Sequence, residues 1–215
     1  MHIAREIESL KKRVLTLSAM VEESFDRSVQ ALNRMDGVLA RQVIDSDILV
    51  DQTEVDIEEE CLKVLALHQP VANDLRFIIS ILKINNDLER IADLAVNISE
   101  RVIDLQKMER APIPFDFTTM SHKVHAMVKK SLDSLVNLDP QLAREVISLD
   151  DDVDAMHHET YQLVIDQIKE HPDRIQALIC YLVISRYLER IADQSTNIAE
   201  DTLYLIEGKI VRHQL

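Results

Sequence analysis

The sequence predicts an all-α chain of six helices, arranged as two tandem three-helix bundles related by an approximate twofold. Three observations predict it. The residues suit helix and little else: two glycines, five prolines and 4% aromatics leave scant material for hairpins, while 47% of the 215 residues are hydrophobic. The apolar residues recur at alternating spacings of four and three, the seam of packed helices. The chain also repeats itself. Leu88-Glu89-Arg90-Ile91-Ala92-Asp93-Leu94-Ala95-Val96-Asn97-Ile98-Ser99-Glu100 returns as Leu188-Glu189-Arg190-Ile191-Ala192-Asp193-Gln194-Ser195-Thr196-Asn197-Ile198-Ala199-Glu200, with nine of the thirteen positions identical. Upstream, Leu39-Ala40-Arg41-Gln42-Val43-Ile44 matches Leu142-Ala143-Arg144-Glu145-Val146-Ile147.

Helix 1 follows from Ile3, Ile7, Leu10, Val14, Leu17 and Val21 and runs to about Met35. Asp36, with Gly37 behind it, reads as the N-cap of helix 2, and one repeat later Asp139-Pro140 offers an N-cap with proline at the first helical position. Helix 2 continues to about Leu67 and is broken by His68-Gln69-Pro70; His171-Pro172 breaks its counterpart. Helix 3 carries the longest seam, Ile81, Ile84, Leu88, Ile91, Ala95, Ile98, Val102 and Leu105. The segment Ala111-Pro112-Ile113-Pro114-Phe115-Asp116 reads as the linker, so the two repeats are expected at 1–110 and 111–215. The repeat offset is 103 residues in helices 1 and 2 and 100 in helix 3, which places a three-residue shortening near the second copy's connection between its last two helices.

Composition narrows function by exclusion. A net charge of −14 argues against holding nucleic acid by phosphate neutralisation and favours cations or basic protein surfaces. The longest apolar run, Ala177 to Ile184, is far short of the ~20 residues of a membrane span. The first residues lack the apolar stretch of a secretory signal, so a soluble, cytoplasmic protein is expected. Cys61 and Cys180 sit among apolar neighbours and read as small buried hydrophobes.

Chemistry concentrates on carboxylates that both copies keep. Two pairs with the spacing acid-x-x-x-Asp recur: Asp47/Asp51 and Glu89/Asp93 in the first half, Asp150/Asp154 and Glu189/Asp193 in the second. Residues four apart stand on one helical face, where two like charges cost roughly 0.2–0.5 kcal/mol unless a cation answers them. The same spacing at Glu22/Asp26 and Glu100/Asp104 has no counterpart one repeat away and carries no such meaning. Oxygen ligands alone suit Mg²⁺, Ca²⁺, Mn²⁺ or iron, and His157 in place of Glu54 admits a softer metal in the second half. The alternative is salt bridging to Arg90, Arg190 and Lys83. His157 and His158 otherwise read as polar surface residues. No Gly-rich phosphate loop, G-x-S-x-G or H-E-x-x-H is present, and a di-metal oxidase would need Glu-x-x-His twice, so no catalytic residue is expected.

The duplicated Leu-Glu-Arg-Ile-Ala-Asp-x-x-x-Asn-Ile-x-Glu block, the acid pairs and the segment Gln69-Pro70-Val71-Ala72-Asn73-Asp74-Leu75-Arg76 that leads into helix 3 resemble the PhoU family of bacterial phosphate-uptake regulators over essentially the whole chain. The second half departs at Pro172-Asp173-Arg174-Ile175-Gln176-Ala177, so a role of Arg76 need not be twofold. The resemblance implies multinuclear metal clusters, iron or zinc, on Asp47, Asp51, Glu89, Asp93, Asp150, Asp154, Glu189 and Asp193. It further implies a negative regulator of the phosphate-starvation response, placed between the ATPase subunit of a phosphate ABC transporter and a phosphate-responsive sensor histidine kinase, and a homodimer. Two other readings compete: a metal-independent acidic adaptor serving another phosphate carrier, and a metal-dependent enzyme acting on a phosphorylated substrate.

Overall fold

The computed structural model describes residues 2–108 and 117–208. The expected linker at Ala111–Asp116, and with it the boundary at 110/111, lies outside the described residues. Six long helices account for nearly everything described: α1 His2–Arg34, α2 Gly37–His68, α3 Ala72–Leu105, α4 Phe117–Asn137, α5 Pro140–Glu170 and α6 Ile175–Glu207. A single 3₁₀ turn, Pro172–Arg174, precedes α6. Among the described residues no helix is long and apolar enough to cross a membrane.

The first three helices pack on one another, as do α4 with α6 and α5 with α4 and α6. The halves meet through α3 on α6 and, more lightly, α1 on α4. A twofold exchanging α1 with α4, α2 with α5 and α3 with α6 maps each of these contacts onto itself, which is the symmetry the duplication predicts. The seam of α3 is the centre of a single apolar core, with Ile84, Leu88, Ile91, Ala95, Ile98 and Val102 fully buried. Leu188, Ile191 and Ile198 occupy the same places on α6. One ion pair bridges the halves inside this contact, Lys83 Nζ to the buried Asp201 at 3.1 Å, with the ammonium also 5.4 Å above the Tyr204 ring. On the lighter contact, His125 of α4 stacks on the fully buried Phe25 and reaches Asp26 at 2.7 Å.

Helix ends follow the local chemistry. Asp36 accepts from the backbone N–H groups of Val38 and Leu39, each at 3.0 Å, and Asp139 accepts from those of Gln141 and Leu142. Each cap is preceded by a left-handed residue, Met35 at φ 50° and Leu138 at φ 51°, one repeat apart. Asp36→Ala is expected to cost about 1 kcal/mol, read as a lower denaturation midpoint with an unchanged slope. The three-residue shortening falls where the register requires it: Gln69–Val71 connects α2 to α3, whereas His171 alone separates α5 from the 3₁₀ turn. Arg76, which the second half lacks, lies 5.9 Å over the Tyr204 ring at the C-terminus of α6. Gly208, at φ 70°, leaves it room, since a Cβ there would come within 2.7 Å of the guanidinium.

Candidate metal centre

In each half the penultimate and last helices place their carboxylates on the groove between them. Val43, Val50, Ile57 and Val64 bury one stripe of α2, and Asp47 lies beside that stripe, half-buried. On α3, Glu89 adjoins the buried Leu88 in the same way. Asp47, Asp51, Glu89 and Asp93 therefore converge from two helices onto one cluster, and they act on one another electrostatically. Burial, then Asp51 and Asp93, push the Asp47 carboxyl up to about 6. Burial, then Asp93, Glu54 and Asp51, push Glu89 up to about 7 against the opposing pull of Arg90. Glu54 joins them: burial, Glu58 and Asp51 raise its carboxyl.

The second half repeats the arrangement with Asp150 and Asp154 on α5 and Glu189 and Asp193 on α6. Burial, then Asp193 and Asp154, bring Asp150 to about 6, with the Thr196 hydroxyl opposing. Burial and Asp193 bring Glu189 to about 7, with Arg186 opposing. Asp193 is raised by burial and Asp154. One oxygen from each of Asp154, Glu189 and Asp193 lies within 4.8 Å of the other two.

Buried carboxylate oxygens normally accept hydrogen bonds. Among the described residues Asp47 Oδ1, Asp150 Oδ1 and Glu189 Oε2 are buried without a donor, and the two aspartates are one repeat apart. An anion held beside other anions with an unfilled lone pair is strongly unfavourable, and a cation bound by oxygen removes both faults. The residues therefore fit a hard metal ion. In each half the four carboxylates of that groove would hold it, and it would supply positive charge to balance theirs.

The salt-bridge alternative fares unequally. Lys83 is engaged with Asp201, and Arg90 Nε donates to Asn86 Oδ1 at 3.0 Å rather than to a carboxylate. Arg186, which the sequence reading passed over, pairs with Glu189. Its counterpart in the first half is Asn86, so that cluster has no such cation. Glu89, Arg90, Asp93, Asn97, Arg190 and Gln194 line a cleft of about 400 Å³ where α3 meets α6.

One reading is corrected. His157 is half-buried in the α5–α6 groove, not a surface residue; its Nδ1 lies 2.9 Å from Ser185 Oγ, and burial with the nearby Arg186 holds its pKa down. Periodicity alone could not place it, because the ring turns inward only where α6 offers the hydroxyl. His158 is exposed as expected. In the first half the same place is filled by Glu54, whose backbone carbonyl and Oε1 accept from Asn85 Nδ2 at 3.0 and 2.9 Å. Asn85 and Ser185 are one repeat apart and four residues before Glu89 and Glu189, a spacing that could have added them to the strip. Both cysteines are buried, and burial pushes the Cys61 thiol up to about 12.

Residues 14–102 and 117–202 match the PhoU domain, once for each half. The chain is 39% identical over its whole length to the phosphate-specific transport system accessory protein PhoU homolog of Aquifex aeolicus, covering 97% of that protein. It is 36% identical to the homolog of that name from Pseudomonas aeruginosa, over 97% of this chain and 86% of the relative. The crystal structure of PhoU from Pseudomonas aeruginosa superposes with a TM-score of 0.93 at 34% identity, over 97% of this chain and all of that one. That of the phosphate transport system regulatory protein PhoU from Streptococcus pneumoniae gives 0.86 at 29% identity, over 98% and 99%. With both repeats matched and the fold shared end to end, the chain belongs to the PhoU family.

Proposed function

We propose that this protein is a cytoplasmic negative regulator of phosphate uptake and of the phosphate-starvation response. In this reading it conveys the state of a phosphate ABC transporter, through its ATPase subunit, to a sensor histidine kinase. The observation that carries the reading is full-length similarity to relatives named as accessory proteins of phosphate-specific transport. The twofold-related orphan oxygens support a part for metal on the α2–α3 and α5–α6 grooves. In this reading the metal-loaded carboxylate faces serve as docking sites, and no residue here is assigned a catalytic role.

The test is alkaline phosphatase activity in phosphate-replete cells lacking the gene. High activity that the intact gene represses supports the regulator reading. Activity that stays low in the deletion strain overturns it. A metal-independent adaptor is favoured by one observation, the Arg186–Glu189 pair, which already answers one carboxylate of the second cluster. Repression by a folded, metal-free variant would establish that second reading.

A further inference from the structure

The outer face of α2 carries a row of large, exposed apolar side chains. Ile48, Val55 and Leu62 stand seven residues apart and are 70%, 43% and 53% exposed; Leu49 beside them is 62% exposed. Scattered surface leucines need no explanation, but residues spaced by heptads share one stripe, here about 21 Å long. The buried stripe of α2, centred on Val50, Ile57 and Val64, faces the opposite way.

The duplication supplies a control for the bland reading that the fold itself wants these residues. One repeat later, α5 packs on α4 and α6 as α2 packs on α1 and α3. It carries Asp151, Asp152 and His158 where α2 has Ile48, Leu49 and Val55, and keeps an apolar residue, Ile165, only where α2 has Leu62. Helix and bundle thus form with polar residues at the other three positions.

Charge specifies what covers the row. Asp45, Asp56 and Glu59 flank it on one side and Glu58 on the other, all exposed. Of the two cations on α2, Lys63 is engaged with Glu60 at 3.2 Å, and Arg41 stands one turn before Asp45 at the N-terminal end of the row. A second copy seated on this face would set four carboxylates against four. An anionic lipid surface would be repelled in the same way. We propose that the outer face of α2 docks a basic amphipathic helix of a partner protein, whose apolar residues seat on Ile48, Val55 and Leu62 while lysines or arginines meet the flanking acids. This rests on the accessory-protein reading, since it names the surface and the chemistry of one partner.

The probe is a labelled helical peptide of about 20 residues, leucine on its seam and lysine on both flanks, compared with the same peptide carrying glutamate for lysine. Binding is read by fluorescence anisotropy to the full-length protein. The key variant transplants the sister helix, Ile48→Asp with Leu49→Asp and Val55→His. It adds two negative charges, so attraction by charge alone would strengthen, whereas docking on the row weakens about tenfold or more. The flank variant Asp45→Lys with Asp56→Lys and Glu59→Lys tests charge separately and is expected to lose the lysine peptide and gain the glutamate one. Helicity and melting temperature of each variant confirm that it is folded.

Equal binding of both peptides by the parent, or undiminished binding by the sister-helix variant, overturns the inference. So does self-association of the parent that the sister-helix variant abolishes, which would make a second copy the occupant. Repression of alkaline phosphatase by the sister-helix variant as full as by the parent also overturns it. Failure of the parent gene itself to repress would sink the regulatory reading and leave peptide binding as an independent result.

Discussion

Stripped of metal, the protein is expected to melt at a higher temperature near about pH 5 than near about pH 8, opposite to ordinary acid denaturation. The sign follows from the clusters. Asp47 and Asp150 reach about 6 in the folded protein and Glu89 and Glu189 about 7, each above its ordinary value because folding buries it among other carboxylates. Between the ordinary and the raised value the folded state binds more protons than the unfolded one. Stability therefore falls as pH rises through about 4 to 7 and is greatest where these groups are protonated. Chelator-treated protein melted across this range gives the measurement. Saturating metal should flatten or invert the slope, because protons compete with metal for the same oxygens. A stripped protein that loses stability steadily from neutral to acid pH would show that these groups are not strained as described.

The second large effect concerns metal content. Glu89→Gln with Asp93→Asn is expected to abolish binding in the first half while leaving helicity intact, because it removes anionic ligands without touching the buried seam. Elemental analysis of metal-reconstituted protein decides it, and unchanged content in that variant rejects the ligand assignment. The halves should also differ. The first cluster has Glu54 and Asn86 where the second has His157 and Arg186, so the first presents more uncompensated negative charge. Asn86→Arg is expected to weaken the first site on the order of tenfold, and Arg186→Asn to strengthen the second by a similar factor. Equal affinities that neither change moves would remove charge as the cause of any asymmetry.

The helices were legible because of their apolar periodicity, and the duplication checked the start and the end of the middle helix of each half: Asp36 and Asp139 were recognisable as caps in either copy. Repetition also singled out the eight carboxylates from 38 acidic residues. What stayed hidden depends on the packing of one helix against another. Nothing local ties Lys83 to Asp201, 118 residues away. Asn86 and Arg186 differ between the copies, so a search for what both kept passes over them, although their difference separates the two sites. The burial of His157 comes from Ser185 on another helix, and the orphaned oxygens of Asp47 and Asp150 become visible only when the groove closes around them.

Met35 and Leu138 bear on how such a protein changes over time. Each turns the chain between two long helices at a positive φ, and the two angles agree within a degree, although the side chains differ and neither residue is the glycine that such a backbone prefers. After duplication the sequence at this corner drifted and the torsion did not. The shared torsion sets the direction in which α2 leaves α1 and α5 leaves α4, and so turns the matching face of each toward the last helix of its half. What the two halves inherited at this corner is an angle, while the residue that holds it was free to change.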